Sequence, residues 1–151
     1  MAIDINLIKQ LREETGAGIA DCRIALEESD GDMAEAKEVL LKKGMERADK
    51  KADRETKAGL IYSYIHNGRV GAMVEVGCET DFVAKTDDFV NLCKEVAMQV
   101  ASMNPENVEE LLKQAYIRDT KKTMEDLVKE TIGKLGENIQ VRRMVRFELG
   151  E

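Results

Sequence analysis

Three cysteines and a single histidine are the side chains through which this chain of 151 residues could do nucleophilic or metal chemistry. Cys22 and Cys93 fall on the apolar faces of helical patterns, and Cys78 ends a run with strand alternation. No two of them share the close spacing of a redox or zinc pair. Buried free thiols are therefore the expectation, and no metal or cofactor site is indicated. His66 stands at a turn, about eight strand residues from Cys78, a separation that argues against a cysteine–histidine catalytic pair. A thiol enzyme using Cys78 stays as one reading, and it requires a lowered thiolate pKa.

Interaction chemistry has a stronger candidate in the run Cys78-Glu79-Thr80-Asp81-Phe82-Val83-Ala84-Lys85. Before it, Val70, Ala72, Val74 and Val76 alternate as a half-buried strand does. After it, Phe89, Leu92, Cys93, Val96, Ala97, Val100 and Ala101 recur at helical spacing. The junction carries one large apolar ring, Phe82, beside the carboxylate of Asp81. Two readings stand: the ring is a probe held outward between two rigid elements, or Thr80, Asp81 or Thr86 only caps the helix while Phe82 folds back on the core.

The elements that must position this junction follow from the pattern around it. Ile3, Leu7, Ile8 and Leu11 line a first helix, with Asp4 at its start and Gly16 past its end. A second begins near Gly18 and buries Ile19, Cys22, Ala25 and Leu26. The third opens on Asp32 with Glu35 at capping-box spacing, buries Met33, Ala36, Val39 and Leu40, and ends at Gly44. None is stable alone, so the three share a core, giving a docking module over residues 1–44. Residues 45–57 are dense in charge and read as a linker or exposed helix. Residues 58–151 then form an α+β core. Gly59 to His66 and Arg69 to Gly77 are strands joined by Asn67-Gly68, with Leu60, Tyr62 and Tyr64 on one face and Ile61 and Ile65 on the other. Asn104-Pro105 stops the long helix, and a short helix with Val108, Leu111 and Leu112 follows. Tyr116 to Lys122 reads as a polar connection, and Thr123 with Asp126 caps a further helix ending at Gly136. A third strand alternates Ile139, Val141, Val145, Phe147 and Leu149 with polar residues that include Arg142 and Arg146. The fold class is therefore α+β: an N-terminal three-helix bundle, then a small antiparallel three-stranded sheet packed with helices.

Composition narrows function further. Aromatic residues make up 4% of the chain with no Trp, and the net charge is −7. A chain this acidic disfavours nucleic acid, and Arg142, Arg143 and Arg146 are its only concentrated positive patch. No apolar run reaches the roughly 18–20 residues of a membrane span, and no signal peptide opens the chain, so a cytoplasmic protein is expected.

Three segments, in order, resemble the elongation factor Ts family. Leu11-Arg12-Glu13-Glu14-Thr15-Gly16-Ala17-Gly18 with Asp21-Cys22 is similar to the family's opening motif, Thr80-Asp81-Phe82-Val83-Ala84 to its signature loop, and Gly136-Glu137-Asn138-Ile139-Gln140-Val141-Arg142-Arg143 to its closing one. The resemblance implies a ubiquitin-associated type of bundle and a guanine nucleotide exchange factor, not an enzyme, for elongation factor Tu. Thr80, Asp81, Phe82 and Val83 would dislodge Mg²⁺ from the GDP-bound partner, and Leu11, Arg12, Ile19, Ala20 and Arg23 would contact it from the bundle. Where the family commonly has two methionines, this chain has Ile19 and Ala20. Short family members pair as homodimers, which the resemblance implies here too. The chain lacks the helical insertion usual between about Pro105 and Leu127, and Val145 stands where a short relative carries a bridging Cys. The competing class is an acidic adaptor that binds peptides or ubiquitin-like domains through its bundle.

Overall fold

The computed structural model describes residues 2–151. Among these residues the chain forms seven helices, a three-stranded antiparallel sheet and a small two-stranded one, the α+β class expected. Helices α1 (Ile5–Thr15), α2 (Ile19–Glu28) and α3 (Met33–Lys51) make the N-terminal bundle. Asp4 caps α1 by accepting from the Asn6 N–H, and Gly16 closes it at φ 75°. Asp32 caps α3 through the Glu35 N–H. Ile8, Leu11, Cys22, Ala25, Leu26 and Ala36 form one apolar cluster.

The third helix does not end at Gly44. It runs on to Lys51, because its second half has partners: Arg47 makes a two-pronged pair with Asp21, Ala48 is buried in the second core, and Asp49 pairs with Lys129. The Arg47 hydrogen bonds hold the Asp21 carboxyl below the usual carboxylate range. Gly44 serves close approach rather than termination, since a Cβ on the facing Gly133 would lie 2.7 Å from its Cα.

Strands β1 (Ala58–His66) and β2 (Val70–Cys78) form the hairpin, with Asn67 and Gly68 at φ 54° and 66° as a primed turn demands. A one-turn helix α4 (Asp81–Ala84) leads into α5 (Asp87–Met103), whose stripe from Phe89 to Ala101 packs across the sheet. Next come α6 (Val108–Lys113), β3 (Ala115–Tyr116), β4 (Asp119–Thr123), α7 (Met124–Leu135) and β5 (Gln140–Glu148). Thr123 and Asp126 form the expected capping box.

The segment from Tyr116 to Lys122 is no mere connection but most of a β3–β4 hairpin, anchored by two buried polar groups of α5. Gln99 donates to Gln114 and to the Ala115 carbonyl and accepts from the Ile117 N–H, while Glu95 pairs with Arg118 at 2.9 Å. Burial, then the Glu95 carboxylate, pushes the Tyr116 phenol up to about 12.

Strand order is β1-β2-β5. The last strand breaks its alternation at Arg142: Val76 faces Val141 but Glu75 faces Arg143, so Arg142 is the extra residue of a bulge. Arg146 is therefore not on the outer polar face. It turns inward and donates to the Ala101 carbonyl, while Val145 and Phe147 face out. With Ile61, Ile65 and Met73 they form an exposed apolar patch on the sheet's outer face, beside the Glu75–Arg143 pair.

Candidate partner-binding site

The junction after β2 is built so that its ring points away from the core. Thr80 is extended and caps α4, its hydroxyl accepting from the Val83 N–H at 3.3 Å. Thr86 caps α5 in turn, accepting from the Phe89 N–H and donating to the Val83 carbonyl. Val83 and Ala84 are buried, so a single helical turn puts Asp81 and Phe82 on the opposite side. Phe82 is 82% exposed, more than any other large apolar side chain among the described residues. The fold-back reading of Phe82 is thereby excluded, while the capping reading holds for Thr80 and Thr86. The signature segment is a capped turn of helix rather than a loop.

Thr80 and Asp81 are exposed beside Phe82. Val83, the fourth residue of the expected contact set, is 5% exposed and anchors the turn, because the same helical geometry that frees Phe82 turns its neighbour inward. Leu11, expected among the bundle contacts, is fully buried between the bundle helices. Arg12, Ile19, Ala20 and Arg23 are exposed around the Gly16–Gly18 turn, with Ile19 at 57% and Arg23 loosely paired with Glu27. Ile19 thus lies outside the bundle core to which its helical spacing assigned it.

Nucleophilic chemistry finds no support. Cys78 is buried and its thiol donates to the Thr80 carbonyl; burial first, then Glu137, raises its pKa, the reverse of an activated thiolate. Cys22 is also raised by burial, and Cys93 is pushed up to about 12. His66 pairs with Val70, at the opposite end of the hairpin from Cys78. Among the described residues no cluster of His, Cys, Asp or Glu is arranged to hold a metal.

A family model described as Elongation factor TS matches residues 79–151, which takes in both the Phe82 turn and the closing segment. The chain is 45% identical over 197 residues to an elongation factor Ts of Coprothermobacter proteolyticus, with all of both chains covered. It is 44% identical over 195 residues to one from Thermotoga maritima, covering 100% of this chain and 98% of the relative. The chain belongs to the elongation factor Ts family.

It is thus a translation elongation factor by descent, and the resemblance seen in three short segments extends over the whole chain. A chloroplastic polyprotein of EF-Ts from Oryza sativa subsp. indica is also similar, at 42% over 197 residues, which is 18% of that longer protein. These alignments run well past the 151 residues present here, so the elongation factor Ts relatives carry positions without a counterpart. Two features of the surface had no local signal in the sequence. One is the outward turn of Val145 and Phe147, set by the bulge; the other is the set of contacts behind Thr80, which join residues far apart in the chain.

Proposed function

We propose that this protein acts in the cytoplasm as the guanine nucleotide exchange factor for elongation factor Tu. The observation that carries the reading is Phe82 held outward beside Asp81 on a turn whose other residues are locked into the core. Such a ring keeps its apolar surface available and loses little conformational freedom on docking. Phe82 is the wedge and Asp81 places a carboxylate on a polar or basic group of the partner, displacing the Mg²⁺ that holds GDP. Without that ion the diphosphate charge is uncompensated and release accelerates. No covalent bond is made or broken. The exchange factor binds the nucleotide-free partner better than the loaded one, so linkage requires that it weaken nucleotide binding by the same factor.

Residues 1–44 serve as the docking module, with Arg12, Ile19, Ala20 and Arg23 as its contact surface; α3 carries the chain on through the charged stretch 45–57 as far as Lys51, ahead of the core domain 58–151. Stopped-flow release of labelled GDP from elongation factor Tu tests the activity: the chain accelerates it at substoichiometric concentration, and no acceleration refutes the assignment.

The uncovered sheet face supports a homodimer. Ile61, Ile65, Met73, Val145 and Phe147 form one contiguous apolar surface, of the kind that marks an interface. A twofold pairing of two such faces covers both. Light scattering after size exclusion gives twice the chain mass for the native protein, and Phe147→Lys, on a ring 74% exposed in the single chain, shifts it to monomer with the helical signal intact.

A further inference from the structure

The backbone runs off the sheet just before the Phe82 turn. β2 ends at Cys78, whose partner Ala58 begins β1, so the N–H groups of Glu79 and Thr80 have no strand to meet. Both donate instead to Oε1 of Glu137, at 3.1 and 3.0 Å, and the Thr80 hydroxyl donates to Oε2 at 2.8 Å. The exchange is reciprocal: Oε2 of Glu79 accepts the Asn138 N–H at 2.7 Å and pairs with Arg54 at 3.5 Å. Asn138 is buried, and its Nδ2 donates to the carbonyls of Ala52 and Arg54 at 3.3 and 2.8 Å. Two carboxylates therefore cross-link three segments: the exit of α3, the entry to α4, and the chain after the left-handed Gly136 cap of α7.

We infer that Glu137, Glu79 and Asn138 are positioning residues for exchange, a latch that fixes the direction in which Phe82 leaves the surface relative to α3 and the bundle. The inference rests on Phe82 being the wedge. The turn is attached to the core through Val83 and Ala84, so the latch is not needed to fold it. What the latch adds is angle. A wedge acting beside a metal in a partner that is also gripped by the bundle works only if that angle is fixed before contact, because a misplacement of an ångström is enough to lose most of the effect. Two successive amides donating to one side-chain oxygen supply that stiffness.

Full-length Glu137→Ala and Glu137→Gln test it. Gln keeps an oxygen for the two amides and offers an N–H₂ to the Thr80 hydroxyl, so it preserves the geometry without the charge. In Glu137→Ala, hydrogen exchange at the Glu79 and Thr80 amides rises at least about tenfold while the Val74 and Val76 amides stay protected. The saturating rate of GDP release from elongation factor Tu falls about tenfold, with the half-saturating concentration within about twofold of the native value. Glu137→Gln recovers most of both. Unchanged amide exchange in Glu137→Ala overturns the latch whatever the activity. Faster amide exchange with undiminished GDP release overturns it too, leaving the wedge intact if Phe82→Ala lowers release in the same assay. If Phe82→Ala is itself inert, wedge and latch fall together.

Discussion

Phe82→Ala is expected to lower the stimulated rate of GDP release from elongation factor Tu by about 30- to 1,000-fold. That range corresponds to the roughly 2–4 kcal/mol lost when a central aromatic anchor of an interface is truncated. The ring is almost wholly exposed in the free chain, so its removal forfeits no packing, and the unfolding free energy should change by less than about 0.5 kcal/mol. Circular dichroism and the melting temperature of the variant therefore match the native protein while its activity does not. Phe82→Leu retains apolar volume without the flat ring and should fall between the two. A variant with Ala at this position that releases GDP at the native rate would remove the ring from the mechanism.

That the ring faces out was not written in the local pattern. Phe82 and Phe89 lie two helical turns apart in sequence and end on opposite sides of the surface, because the chain is re-capped between them. Thr80 starts one helix and Thr86 another, so a single helical phase does not run through both rings. The hydroxyls that enforce this were legible as possible caps, which is why the sequence left both orientations of Phe82 open. Elements with strong periodicity or turn chemistry were legible outright: the Asn67-Gly68 hairpin, the stripe of α5, the capping box at Thr123 and the left-handed glycines at 16 and 136. Features settled by distant partners were not. The bulge at Arg142 exists because β5 must pair with β2 on both sides of it, and it reverses which side chains of the last strand face out. The charged half of α3 read as a linker or exposed helix because Asp21 and Lys129, which meet it, lie far away in the sequence, and nothing local marked Glu95 and Gln99 as the buried anchors of the β3–β4 hairpin. Leu11 and Val83 are buried although their motif neighbours are exposed, a division that the motif by itself does not mark. A contiguous motif on a helix contains both residues that touch a partner and residues that hold those residues in place.

Phe89→Ala should give the opposite result to Phe82→Ala. Phe89 is fully buried in the main core, and its N–H closes the Thr86 cap. Truncating a buried Phe leaves a cavity that helices and sheet fill only in part, at about 3–5 kcal/mol, a large share of the roughly 5–15 kcal/mol that holds an ordinary domain together. For a chain of this size the melting temperature drops by about 6–20 °C, measurable by calorimetry or by the loss of helical signal on heating. Phe89→Leu restores much of the volume and should recover more than half of the loss. Well below the lowered melting point, GDP release by Phe89→Ala should follow the folded fraction of the variant, since the residue is buried in the core. A ring that governs rate without stability, seven positions from one that governs stability without an intrinsic effect on rate, separates the probe from its scaffold. If Phe89→Ala abolished release while still fully folded, the turn before α5 would be responding to core packing, and Val83 and Ala84 would not anchor it alone.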